Sequence, residues 1–155
     1  MTFHNDKTSM EPWIETASGG QFWFGGGDWH NDIHIEDIAA SLSKLCRFTG
    51  HCRRFYSVGE HSLYVSKLVP PEQALAGLLH DASEAYLADI ASPVKQLLPD
   101  YKNLERWVMS RVSKRFNLNL NFWEEKDIKN ADWAQLKTEA EYLLPSQGKE
   151  WFFPE

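Results

Sequence analysis

Along most of the chain, apolar positions recur at helical spacing. Ile35, Ile38, Ala39, Leu42 and Leu45 fall on one face of a first helix that should end before Gly50, and Glu36 and Asp37 complement its positive start. A second helix opens at Ser57-Val58-Gly59-Glu60, which has the Ser-x-x-Glu spacing of a capping box. It continues through Leu63, Tyr64, Val65 and Leu68 until Pro70. A third is expected from Pro71, a residue tolerated in a first helical turn, to about Ala88, where Asp89-Ile90-Ala91-Ser92-Pro93 breaks it. Two more run from about Asp100 to Phe116 and from Lys126 to Leu144, joined by Asn117-Leu118-Asn119-Leu120-Asn121. Residues 1–31 follow another pattern: Trp13-Ile14-Glu15-Thr16 and Phe22-Trp23-Phe24 are short aromatic pieces broken by glycines, as in a small hairpin lying on the body.

The expected fold class is therefore all-α, a bundle of about five to six helices with a small irregular or β-hairpin leader. One domain should cover residues 1–155, with the leader at 1–31, a helical core at 32–145 and a tail at 146–155. The apolar Trp151-Phe152-Phe153-Pro154 must pack back on the domain or meet another subunit. Trp13, Trp23 and Trp29 read as packing residues rather than a base-stacking platform.

Composition narrows the function. With 43% hydrophobic residues the chain can bury a core, yet no apolar run approaches the roughly 20 residues of a membrane span. The start lacks the basic-then-apolar layout of a secretory signal, so a cytoplasmic protein is expected. Cys46 and Cys52 are too few for a disulfide framework and read as ordinary reduced thiols. A net charge of −6 argues against a stable nucleic-acid partner. Lys44, Arg47, Arg53 and Arg54 nevertheless form a locally basic stretch, to which Lys67 and Lys95 add. It is either a solvated face or a phosphate-binding surface.

The chemistry centres on His80-Asp81, set in the apolar run Ala74-Leu75-Ala76-Gly77-Leu78-Leu79. A buried imidazole and carboxylate are costly unless they are paired or bind a metal. His61 and Asp132, each in another amphipathic run, supply the missing partners, whereas His4, His30, His34 and His51 read as ordinary histidines. Two nitrogens and two oxygens suit one divalent transition ion (Zn, Co, Mn or Fe) better than the all-oxygen sites of Ca or Mg. Four protein ligands leave positions open for water, as a hydrolase needs. Glu84 stacks one turn beyond His80. A metal that only staples helices, or a helical partner-binding module without metal, are the competing readings.

The order His61, His80-Asp81, Asp132 resembles the H...HD...D pattern of the HD-domain metal-dependent phosphohydrolases. His80-Asp81-Ala82-Ser83-Glu84, followed by Asp89 and Ser92-Pro93-Val94-Lys95, is similar to the small nucleotidase branch, which includes bacterial 5'-deoxynucleotidases and phage dATP triphosphohydrolases. Trp13 to Gly19 and Arg47-Phe48-Thr49-Gly50-His51 resemble a phage and bacterial subgroup. The resemblance implies metal ligation by His61, His80, Asp81 and Asp132. It implies that Glu84 and Asp89 position or activate water and protonate the leaving oxygen, with Arg47 near phosphate or sugar. Arg54 and Lys95 would add charge for the phosphates, while Phe48 and Pro93 would shape the base pocket. A dATP or dNTP triphosphohydrolase is the expected activity, with a dNMP 5'-nucleotidase as the alternative. A second divalent ion could accompany the polyphosphate, and the branch implies a homo-oligomer, dimer or hexamer, in a bacterial cell or encoded by a phage.

Overall fold

A computed structural model describes residues 12–25 and 32–151; His4, Trp29 and His30 lie outside the described residues, as does the tail beyond Trp151. The expected hairpin forms. Strand β1 (Trp13–Glu15) pairs antiparallel with β2 (Gln21–Trp23), in the register Trp13 to Trp23, Ile14 to Phe22 and Glu15 to Gln21. Phe22, on the inward face, is buried and stacks on Tyr86 with ring centroids 4.0 Å apart, its edge toward Trp107. The hairpin turn is tied down by Asp37, whose carboxylate accepts from the backbone N–H of Ser18 at 2.7 Å and from its hydroxyl at 2.9 Å. These bonds account for the burial of an aspartate in the first turn of helix α1 (Ile35–Leu42).

Helix α1 buries Ile38 and Leu42, but Leu45 is not part of it. After Leu42 the chain turns back to pair Cys46 with Ser57, and the Val58 N–H donates to the Leu45 carbonyl. The pairing ends the helix three residues before its apolar face runs out. Arg47 then leads into a tight turn at Phe48–Gly50, where Phe48 and Thr49 both take positive φ. Helix α2 (Val58–Leu68) starts as expected: Ser57 Oγ accepts from the Glu60 N–H, and the Glu60 carboxylate accepts from the Ser57 N–H, each at 3.0 Å.

The continuous third helix from Pro71 to about Ala88 is not what forms. A single turn at Pro71–Gln73 leads into α3 (Ala74–Leu78), the chain then turns through His80 and Asp81, and α4 (Glu84–Leu87) follows. The break has a local cause. The His80 Nδ1–H donates to the Gly77 carbonyl at 2.8 Å, the group that the Asp81 N–H would use in an unbroken helix. Beyond it the backbone tightens to i→i−3 bonds, Ala82 to Leu79 and Glu84 to Asp81. Gly77 itself allows close packing on α2, since a Cβ there would lie 3.0 Å from Val69 Cγ2 and 3.1 Å from Ser66 Cα.

Helix α4 ends at Ala88, whose φ of 67° sends the chain away; the Tyr101 hydroxyl donates to its carbonyl. The segment expected to be only a breaker contains the four-residue helix α5 (Ser92–Lys95), with Pro93 in its first turn. The two long helices α6 (Pro99–Phe116) and α7 (Lys126–Leu143) match expectation closely. α6 stops at Asn117 in the left-handed conformation, which an asparagine tolerates. Val58 and Val65 of α2, Val108 and Val112 of α6 and Ile128 of α7 are fully buried in one apolar cluster with Leu79 and Ala82, so the break between α3 and α4 is seated on the core. No helix among the described residues is long and apolar enough to cross a membrane. Trp151 packs its ring near Phe48, with centroids 6.0 Å apart.

Candidate metal centre

Three elements converge at one buried corner: the first turn of α2 brings His61, the α3–α4 break brings His80 and Asp81, and the middle of α7 brings Asp132. His61 and His80 are buried. Their Nε2 atoms stand 3.2 Å apart. Asp132 Oδ1 lies 3.1 Å from His61 Nε2 and 3.8 Å from His80 Nε2, while Asp81 Oδ2 lies 3.2 Å from His80 Nε2 and 3.7 Å from His61 Nε2. The ligand atoms of His61, His80 and Asp81 all fall within 4.8 Å of one another, close enough for one ion. All four residues singled out in the sequence as ligands are thus brought together.

The hydrogen bonds behind the rings decide what the front atoms can do. His80 Nδ1 faces the Gly77 carbonyl, which can only accept, so Nδ1 carries the hydrogen. His61 Nδ1 faces Glu139 Oε1 at 2.8 Å, again an acceptor. Neutral rings held this way aim both Nε2 lone pairs at the same point, with two carboxylate oxygens beside them. Such a set repels itself unless a cation stands between. Two nitrogens each about 2.1 Å from one ion would be separated by roughly 3.0–3.4 Å, which the Nε2 spacing matches. The donor set therefore fits a divalent transition ion.

Without an ion, protons take that role. Burial opposes a charged His80, yet the Asp81 and Asp132 carboxylates outweigh it and raise its pKa to about 10. Burial would push Asp81 and Asp132 up, but the facing imidazoles hold both well below the ordinary range.

Glu84 opens α4 three residues after Asp81, and its side chain is 5% exposed. Burial, then the charges of Asp81 and Asp89, raise its pKa well above the usual value, against the opposing pull of Lys95 and Arg47. Its Oε2 has no hydrogen-bond partner among the described residues, and its Oε1 has only Lys95 Nζ at 3.4 Å. Asp89, just past α4, is also raised, by burial first; Arg47, Asp81, Lys95 and His61 all act on it electrostatically. Lys95 is shared, since it donates to Glu105 Oε1 at 2.6 Å as well.

The basic stretch disperses. Arg47 turns inward, its Nε donating to Glu139 Oε2 at 2.9 Å and its Nη1 lying 3.7 Å from Asp81 Oδ2, with Phe48 packed beside the guanidinium. Arg54 is exposed, pairs loosely with Glu60 and lies over the Tyr56 ring. Arg53 caps the end of α7, bonding the Leu143 and Pro145 carbonyls through its backbone and side chain. Pro93 is exposed at the start of α5. Cys46 and Cys52 are free thiols with sulfurs 3.5 Å apart and lie apart from the ligand cluster.

Sequence reasoning missed Glu139 and Gln135. Both are buried, and with Asp132 they share one face of α7 at spacings of three and four. That polar stripe on an otherwise core-facing side was the available signal.

Fold and site together define a helical protein with a His/His/Asp cluster able to hold a divalent ion. No family model matches the chain. It is 42% identical over 138 residues to the uncharacterized protein YfdR of Escherichia coli (strain K12), a match covering 89% of this chain and 76% of YfdR. A second relative, an uncharacterized protein of Rhodobacter capsulatus, is 37% identical over 124 residues, covering 72% of this chain and 63% of that protein. The chain belongs to the YfdR family.

Proposed function

We propose that this protein is a metal-dependent phosphohydrolase of the HD-domain type that cleaves the 5'-phosphoester of deoxynucleotides. The observation carrying this reading is the convergence of two Nε2 lone pairs with Asp81 and Asp132 beside a buried, partner-poor Glu84. A bound divalent ion supplies Lewis acidity that polarises a phosphoryl oxygen and favours ionisation of water.

The chain's own residues do the rest. His61 and His80 are fixed through Nδ1 so that their Nε2 atoms face the site, and Asp81 and Asp132 balance charge there. Glu84, protonated to higher pH than an ordinary glutamate, is suited to give its proton to the departing 5'-oxygen, and Asp89 to orient or accept a proton from the attacking water. A structural metal staple needs neither carboxylate.

The substrate that the basic stretch of the sequence favours is a dNTP, cleaved to deoxynucleoside and triphosphate. A second reading, a 5'-nucleotidase acting on dNMPs, is favoured by the fate of that stretch. Arg47 is engaged by Glu139, Arg53 lies at the end of α7 and Arg54 is exposed over the Tyr56 ring, so fewer cations converge than a triphosphate calls for.

The test is a chromatographic and phosphate-release screen of protein reconstituted with Co, Mn, Zn or Mg, against dNMPs, dNTPs and their ribonucleotide counterparts. Intact triphosphate from a dNTP supports the first substrate; single phosphates from dNMPs alone support the second. A tightly bound ion with no turnover on any nucleotide overturns the enzymatic reading in favour of a metal-stapled module.

A further inference from the structure

Behind the ligand atoms lies a second arc of buried polar groups. Glu139, with a side chain 2% exposed, uses both of its oxygens: Oε1 accepts from His61 Nδ1 at 2.8 Å and from Gln135 Nε2 at 3.1 Å, and Oε2 accepts from Arg47 Nε at 2.9 Å. Arg47 reaches on toward Asp81, and Asp81 faces His61. The contacts close a ring, His61 to Glu139 to Arg47 to Asp81 and back to His61, in which the Arg47 guanidinium lies between two carboxylates beside the corner where an ion would sit. Tyr56 is drawn in as well, its hydroxyl receiving the Gln135 amide at 3.2 Å.

The physical consequence follows from which atoms are tied. A carboxylate on Nδ1–H fixes the imidazole tautomer, leaves Nε2 as the ligand atom and raises its basicity. A buried carboxylate with two donors on one oxygen and a guanidinium on the other cannot swing away. The guanidinium in turn carries a positive charge that would oppose a cation at Asp81 unless Glu139 neutralises it.

We infer that Glu139 is a positioning residue of the metal centre, holding His61 for ligation and cancelling the charge of Arg47, so that ion affinity depends on a residue that touches no ion. The inference rests on the metal reading of the same corner and deepens it. It also gives Arg47 a second task besides any contact with substrate.

The experiment is a Co(II) titration of the full chain, followed through the visible absorbance of the bound ion, with a thermal unfolding curve of each metal-free variant alongside. Glu139→Gln should weaken Co(II) binding by about 10- to 100-fold. Adding Arg47→Met to it should recover at least about threefold of that loss, because the unbalanced charge beside Asp81 is then gone. A residue that only supports the fold would lower the unfolding temperature without moving the affinity or absorbance of the folded protein. Should Glu139→Gln fail to fold, Glu139→Asp serves: it keeps the charge but cannot reach His61 and Arg47 together, so an intermediate loss is expected. Co(II) affinity within about twofold of wild type in the folded variant overturns the inference. Wild-type protein that binds Co(II) but hydrolyses no nucleotide sinks the enzymatic proposal and leaves this one standing, whereas turnover with unaltered affinity in Glu139→Gln does the reverse. Wild type that binds no Co(II) removes both.

Discussion

Glu139 and Glu84 are both glutamates with almost fully buried side chains, the first bonded to His61 and the second acted on by the charge of Asp81, yet their surroundings differ sharply. Glu139 receives three donors, from His61, Gln135 and Arg47, and these overcome its burial to hold its pKa below the ordinary value. Glu84 has one distant lysine and an oxygen with no partner among the described residues, so burial and the neighbouring carboxylates win and its pKa rises. Burial pushes both the same way; the neighbouring charges and donors decide the outcome. One side of the corner favours a charged, tightly held carboxylate, the other favours a protonated one.

The strongest way to break this contrast is to remove what both sides serve. Asp81→Ala, or treatment of the wild type with a chelator, should lower bound metal by more than about 100-fold and abolish hydrolysis, read by elemental analysis and product release. Retained metal would show that the cluster is not the binding site. Next in size, Glu84→Gln should cut turnover by about 100- to 10,000-fold while metal content stays at the wild-type level, which separates the reactive side from the fixed one. Full hydrolysis in that variant would remove Glu84 from its assigned role.

A smaller effect concerns the seam that positions both histidines. Gly77→Ala puts a methyl group 3.0 Å from Val69 and 3.1 Å from the Ser66 backbone, and should cost about 1–3 kcal/mol in urea unfolding. The smallest is a pH dependence of stability. Glu84 has a folded-state pKa raised above its ordinary 4.5, so it favours the folded state most fully below that pH and loses this contribution as pH rises through the folded-state value. Metal-free Glu84→Gln should therefore gain on the wild type as pH climbs from about 4.5 toward neutrality. Parallel curves would show that Glu84 is not protonated in the fold.

Much of the architecture was legible in the chain because it depends on local, periodic signals. The capping box at Ser57 and Glu60, the bounds of α6 and α7 and the aromatic hairpin all rest on residues a few positions apart. The four candidate ligands were legible too, since a His-Asp pair in an apolar run has few inexpensive fates. The break after Leu78 was not, because apolar periodicity continues straight through it and only the His80 side chain, by taking the Gly77 carbonyl, interrupts the ladder. The early end of α1 was hidden for a similar reason: the Cys46–Ser57 pairing competes with helix from a distant part of the sequence.

The sequence by itself determined the helical class, the hairpin and which side chains make up the candidate metal cluster, through residue chemistry and spacings short enough for local forces to act. Tertiary structure decided which charges meet. Arg47, read as one member of a basic stretch, finds Glu139 at the far end of the chain, while Arg53 and Arg54, six and seven positions on, turn elsewhere. Ion pairing falls off over a few ångströms and is worth most when buried, so the fate of each charge depended on which helix faces it in the fold.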